Sequence, residues 1–70
     1  MLSERIAVLG VGAMGSALVR GWLANGVLSA SQVTVFDLAT ERAAALAAEL
    51  GVVTAATPAA AVAQAEVVLV

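Results

Sequence analysis

An α/β domain built on a parallel sheet is what this 70-residue sequence predicts, and three observations predict it. Four short apolar runs alternate with alanine-rich helical segments, the pattern of parallel strands joined by right-handed crossovers. The first run breaks into Gly10, Gly12 and Gly15, spaced G-x-G-x-x-G, and a helical segment follows at once. The second run ends on a carboxylate, Asp37, which stands 22 positions after Gly15.

In chain order, Ile6 to Leu9 is the first strand, short and continuously apolar as buried parallel strands are. A helix is expected from Ala13 to about Asn25. Met14, Leu18 and Trp22 recur on it at i, i+4 and i+8 as an apolar stripe, and Ala17 with Gly21 offers small residues for close approach to the sheet. Trp22 on that stripe reads as a packing residue. Asn25-Gly26 ends the helix, and Val27 to Gln32 reads as a connecting loop. Val33 to Phe36, β-branched and aromatic, is the second strand. Asp37 or Thr40 is the expected cap of a second helix whose strong formers run from Ala43 to Leu50, with Gly51 as its stop. Val52 to Thr54 is a short third strand. Thr57-Pro58 opens a third helix with proline at its first position, and Val67 to Val70 is a fourth strand.

The resulting order, β-α-β-α-β-α-β, is that of a Rossmann-type three-layer domain. Residues 1–70 are expected to form its dinucleotide-binding first part, with more sheet following the fourth strand. In that context each glycine has a distinct task. Gly10 permits the sharp exit from the strand, Gly12 leaves the backbone open to a pyrophosphate, and Gly15 lets the helix pack closely on the strand. The N–H groups of Ala13 and Met14, at the positive end of the helix dipole, face the expected phosphates. Gly10, Val11, Gly12, Ala13, Met14 and Gly15 are therefore the candidate cofactor loop. Asp37 falls where the dinucleotide fingerprint places an acid. There it either accepts hydrogen bonds from the ribose hydroxyls, which favours NAD over the 2′-phosphorylated NADP, or caps the following helix. Arg42, one turn into that helix, is the nearby cation for a 2′-phosphate, or else a solvated side chain. Ser16 is either a phosphate contact or a helix-satisfying hydroxyl.

Composition narrows the function classes. There is no histidine, cysteine, lysine or tyrosine, so metal ligation and nucleophilic triads lack their raw material, and no catalytic residue stands out. Glu4, Glu41, Glu49 and Glu66 are scattered and read as solubilising. A net charge of −2 gives no basic footprint for nucleic acid. Hydrophobic residues make up 63% of the chain and charged ones 11%, and mean hydropathy is +1.08. Even so, the apolar stretches are shorter than the roughly 20 residues a spanning helix requires or are broken by polar residues. A soluble, cytoplasmic protein is expected. The same composition suits a domain whose faces are covered by more protein.

The segment resembles the N-terminal part of the pyrroline-5-carboxylate reductase family. The carriers are Ile6 to Gly21 with its Met14-Gly15-Ser16-Ala17-Leu18 continuation, Gly26-Val27-Leu28, Asp37, and Leu46 to Val52. The long connection from Gly26 to Gln32 adds to the likeness. The resemblance implies NAD(P)H-dependent reduction of a cyclic imine to proline. It places the loop from Gly10 to Met14 on the cofactor diphosphate and Asp37 beside the adenosine ribose. It also implies a helical C-terminal domain that supplies the substrate pocket and homodimer or higher homo-oligomer contacts. Two positions depart from the family pattern. Leu38 and Ala39 stand where many members carry an arginine and a serine or threonine for a 2′-phosphate, and Pro58 stands where members often carry an asparagine near the adenosine. NADPH follows from the family, while NADH is plausible from Asp37, Leu38 and Ala39. Other readings are a hydroxyacid or prephenate dehydrogenase type of oxidoreductase, a non-catalytic nucleotide-binding module, and a glycine turn that binds nothing.

Overall fold

Four short strands carry the architecture, and the computed structural model describes residues 3–70 of it. The strands are β1 (Ile6–Leu9), β2 (Val33–Phe36), β3 (Val53–Thr54) and β4 (Val67–Leu69). Between them lie α1 (Ala13–Ala24), α2 (Thr40–Leu50) and α3 (Pro58–Val62). All strand pairs are parallel and the spatial order is β3-β2-β1-β4. Right-handed crossovers then place α1 and α2 on one face and α3 on the other, because the chain reverses direction across β1 after β3. This is the expected Rossmann-type arrangement, with its switch point between β1 and β4.

The register fixes what meets what. Leu9 lies opposite Phe36 at the carboxyl ends of β1 and β2, so the turns after the two strands are neighbours. One core fills the α1–α2 face, where Ile6, Val8, Val33 and Val35 of the sheet meet Val19, Ala43 and Leu46 of the helices. Val19, Val33 and Val35 are fully buried. Fully burying one valine contributes about 1.5–3 kcal/mol. Arg20 and Glu49 bridge α1 and α2 at the surface through two contacts of 2.8 Å. Both side chains are about half exposed, so solvent screens the pair and it adds little to stability.

Several expectations shift by a turn or a face. The inward stripe of α1 is buried Val19 with half-buried Gly15, Trp22 and Leu23, whereas Met14 is 79% and Leu18 46% exposed, and Ala17 also faces outward. The helix is rotated onto Gly15 because that glycine makes the closest approach to the β1 turn. Trp22 does pack against the core, as expected. Helix α2 begins at Thr40, with Ala39 as its N-cap and no side-chain cap, so neither Thr40 nor Asp37 caps it. Its end is as expected, since Gly51 adopts φ +78° and donates to the Ala47 carbonyl at 2.8 Å. The connection before β2 is more ordered than a plain loop. Leu28 anchors it in the core, and a 3-10 turn at Ala30–Gln32 is closed by the Ser29 amide donating to Gln32 Oε1 at 2.9 Å. Strand β3 starts one residue later than expected and β4 ends one earlier. Thr57 caps α3 by accepting the Ala60 N–H at 3.0 Å. Glu66 has a structural task, accepting the Arg5 N–H at 3.1 Å and so tying β4 to β1. Among the described residues, no helix is long and apolar enough to cross a membrane.

Candidate dinucleotide site

The turn after β1 is built by its glycines, each for a different physical reason. Gly10 has φ +101°, a conformation that L side chains rarely adopt, and its N–H donates to the Phe36 carbonyl at 2.7 Å. Gly15 lies one helical turn further on. A Cβ there would stand 2.5 Å from the Gly10 carbonyl oxygen, so any side chain would force the helix off the turn. Gly12 is different. Its φ of −67° suits any residue, and a Cβ built on it meets nothing within 4 Å. Neither backbone strain nor packing requires glycine at this position.

Helix α1 starts just beyond Gly12, so the amides of Ala13, Met14 and Gly15 have no carbonyl in a preceding turn to bond. They lie at the positive end of a 12-residue helix whose first turn carries no acidic side chain. Val11 is placed otherwise. Its side chain is buried, its N–H donates to Asp37 Oδ2 at 2.8 Å, and its carbonyl accepts from Ser16 Oγ at 2.9 Å. The Ser16 hydroxyl is thus turned back into the loop rather than outward.

Asp37 stands one residue past the end of β2, beside Gly10. Oδ1 accepts the Ala39 N–H at 2.8 Å, so the carboxylate joins both turns through one oxygen each. The Val11 amide and then the Ala39 amide hold its carboxyl below the ordinary carboxylate value; partial burial opposes them, and the Arg42 charge adds a smaller downward pull. Each oxygen keeps further acceptor capacity, because a carboxylate offers about four lone-pair sites.

Gly10, Gly12, Met14, Leu18, Asp37 and Arg42 border one cleft of about 500 Å³, lined also by Leu69 at the end of β4 and by Val70 after it. It lies at the carboxyl ends of β1 and β4, the switch point where ligands of doubly wound sheets bind. Beside it, Phe36, Asp37, Leu38 and Pro58 line a second hollow of about 260 Å³. Leu38 is 92% exposed there. A larger hollow of about 960 Å³ lies elsewhere, over Thr34 between α3 and β3. Its lining offers one charged group, Arg5, whose Nη1 already donates to Gln64 at 2.7 Å. Size and chemistry therefore point to different places, and the chemistry, with its free amides and paired carboxylate, lies at the glycine turn.

The model of a protein family described as NADP oxidoreductase, coenzyme F420-dependent, matches residues 5–70. The chain belongs to this family. No curated protein matches it. The chain is accordingly an NAD(P)-dependent oxidoreductase domain, and a nicotinamide dinucleotide is its cofactor class. The turn fits that class on its own geometry: a helix start with unpartnered amides, and an open space at Gly12 that a Cβ would fill.

The structure brings Gly10, Gly12, Ala13, Met14, Gly15, Asp37 and Arg42 to one cleft, whereas the Val11 side chain is buried in the core and does not line it. Two features go beyond what residue spacing implies. One is the Val11–Asp37 bond, for which the signal was the position of an acid immediately after the strand that pairs with β1. The other is the apolar hollow beside Asp37, where Pro58 at the start of α3 lines the same space as Phe36 and Leu38.

Proposed function

We propose that the chain is the cofactor-binding part of an NAD(P)H-dependent reductase of C=N bonds, most closely a pyrroline-5-carboxylate reductase that forms L-proline. The observation that carries the binding half of this reading is the unfilled space over Gly12 beside the free amides of α1. Gly10, Gly12, Ala13, Met14 and Gly15 hold the diphosphate, and Asp37 takes the adenosine ribose. Leu38 and Pro58 flank the adenine. When bound, the nicotinamide supplies a hydride to the imine carbon. The choice of substrate rests on the Met14-Gly15-Ser16-Ala17-Leu18 continuation and the long Gly26 to Gln32 connection. The family domain is one found in pyrroline-5-carboxylate reductases, which supports the same choice. The substrate pocket and the homo-oligomer contacts belong to a helical domain following this segment, in a cytoplasmic enzyme.

A second reading has its own support, because the family description names coenzyme F420. In it, the same cleft holds NADP while hydride passes between it and that deazaflavin. Initial rates of the natural full-length protein distinguish the two. Oxidation of NADH or NADPH that depends on pyrroline-5-carboxylate supports the first reading. Oxidation that requires F420 and ignores the imine supports the second, and neither activity sinks both.

A further inference from the structure

We infer that Asp37 is a positioning residue for the diphosphate loop as well as a ribose acceptor, because its carboxylate is the acceptor that holds Val11 between the two loop glycines. This inference rests on the dinucleotide reading of the site and deepens it. Ladder pairing between β1 and β2 ends where the Gly10 N–H meets the Phe36 carbonyl at 2.7 Å. Successive amides of a strand point to opposite sides, so the Val11 N–H that follows Gly10 is out of phase with the β2 ladder and has no strand carbonyl there to pair with. Asp37 Oδ2 takes its place at 2.8 Å, while Oδ1 takes the Ala39 amide at the same distance. One side chain thereby joins the two turns and fixes the one that presents the α1 amides. Val11 is locked further by its buried side chain and by the Ser16 hydroxyl on its carbonyl. The loop is thus held in shape before any ligand arrives, which lowers the ordering cost of binding.

Asparagine is the informative replacement. Its side chain offers one acceptor oxygen and an NH₂ donor in place of two acceptor oxygens, so it satisfies one of the two amides and confronts the other with a donor. The experiment measures binding of inorganic pyrophosphate, NADH and NADPH to the natural full-length protein and to Asp37→Asn by calorimetry. Pyrophosphate has no ribose, and removing a negative charge beside it should by itself tighten binding. The expected result is the opposite, a weakening of pyrophosphate by about tenfold, the scale of one lost charge-assisted hydrogen bond. The Val11 amide should also exchange with solvent faster in the variant. Unchanged or tighter pyrophosphate binding, with only NADH weakened, would overturn the positioning role and leave a pure ribose contact. If the variant does not fold, the wild-type protein still decides the matter. A Val11 amide that exchanges as fast as those of Ala13 and Met14 overturns the proposal, and a protected one supports it. Failure of the wild-type protein to bind any of the three ligands would instead sink the dinucleotide reading, a result separate from the Val11 measurement.

Discussion

The turn after β1 and the turn after β2 lie side by side at the same end of neighbouring parallel strands, yet they are built on opposite principles. The first is made by absence. Gly10 takes a backbone conformation that side chains rarely adopt, Gly15 lets backbone approach backbone, and the amides at the start of α1 are left without partners. The second is made by a side chain, since Asp37 uses both carboxylate oxygens to close its own turn and to hold its neighbour. The difference shows where binding capacity resides. The glycine turn supplies donors aimed at an anion, and the acidic turn supplies the rigidity that keeps them aimed. Within the glycine turn the same contrast recurs, because Gly15 serves the fold while Gly12 serves nothing that the chain itself contains.

The sharpest way to break this comparison is to attack the fold-serving glycine. Gly15→Val places a branched side chain where even a Cβ stands 2.5 Å from the Gly10 oxygen. The expected cost is about 3 kcal/mol or more, at the upper end for overpacking, read as a large fall in melting temperature. A melt like that of the wild type would show that α1 shifts freely on β1.

A second, smaller effect concerns the acidic turn. Leu38 and Ala39 offer nothing to a 2′-phosphate, so NADH should compete with NADPH in the wild-type protein. Replacing them together, Leu38→Arg with Ala39→Ser, should raise NADPH affinity about tenfold, in line with one or two charge-assisted hydrogen bonds. Measured dissociation constants for the two cofactors test this. A wild-type protein already strongly selective for NADPH would show that the phosphate is gripped from elsewhere.

Arg42 borders the cleft from α2 and is exposed. Arg42→Ala should therefore weaken NADPH by only a few-fold and leave NADH unchanged, as an exposed pair contributes at most about 1 kcal/mol. An equal loss for both cofactors would place Arg42 on the diphosphate instead.

The acid response of the two turns is the mildest effect. The Asp37 carboxyl is held below its ordinary value of 3.8 by the Val11 and Ala39 amides. Its contribution to stability is therefore fully present above that ordinary value and is lost as pH falls through the lower, folded one. Melting temperature followed downward from pH 5 should drop less steeply in Asp37→Asn than in the wild type. Parallel curves would show that the carboxylate is not coupled to folding.

Much of this was legible in the sequence because it depends on local spacing. The strand, glycine turn and helix start follow from residues 6–25, and the acid in register follows from where the second strand ends. What was not legible depends on rotation and on side-chain choice. A stripe of Met14, Leu18 and Trp22 is as periodic as one of Gly15, Val19 and Trp22. Hydropathy favours the first, but the contact between Gly15 and Gly10 turns the helix to bury the second. Likewise, Asp37 as helix cap and Asp37 as partner of Val11 use the same residue type at the same position, and only the pairing of Leu9 with Phe36 decides between them.

The central claim is that Gly12 is kept open for a dinucleotide and for no reason of folding. It is tested most directly by titrating NADH and NADPH into the natural full-length protein and its Gly12→Val variant, with a thermal melt of each. A Cβ at Gly12 meets open space, so the melting temperatures should agree closely. Affinity for both cofactors should fall about 100-fold or more, equivalent to ~2.7 kcal/mol. Unchanged affinity in a folded variant would contradict the claim.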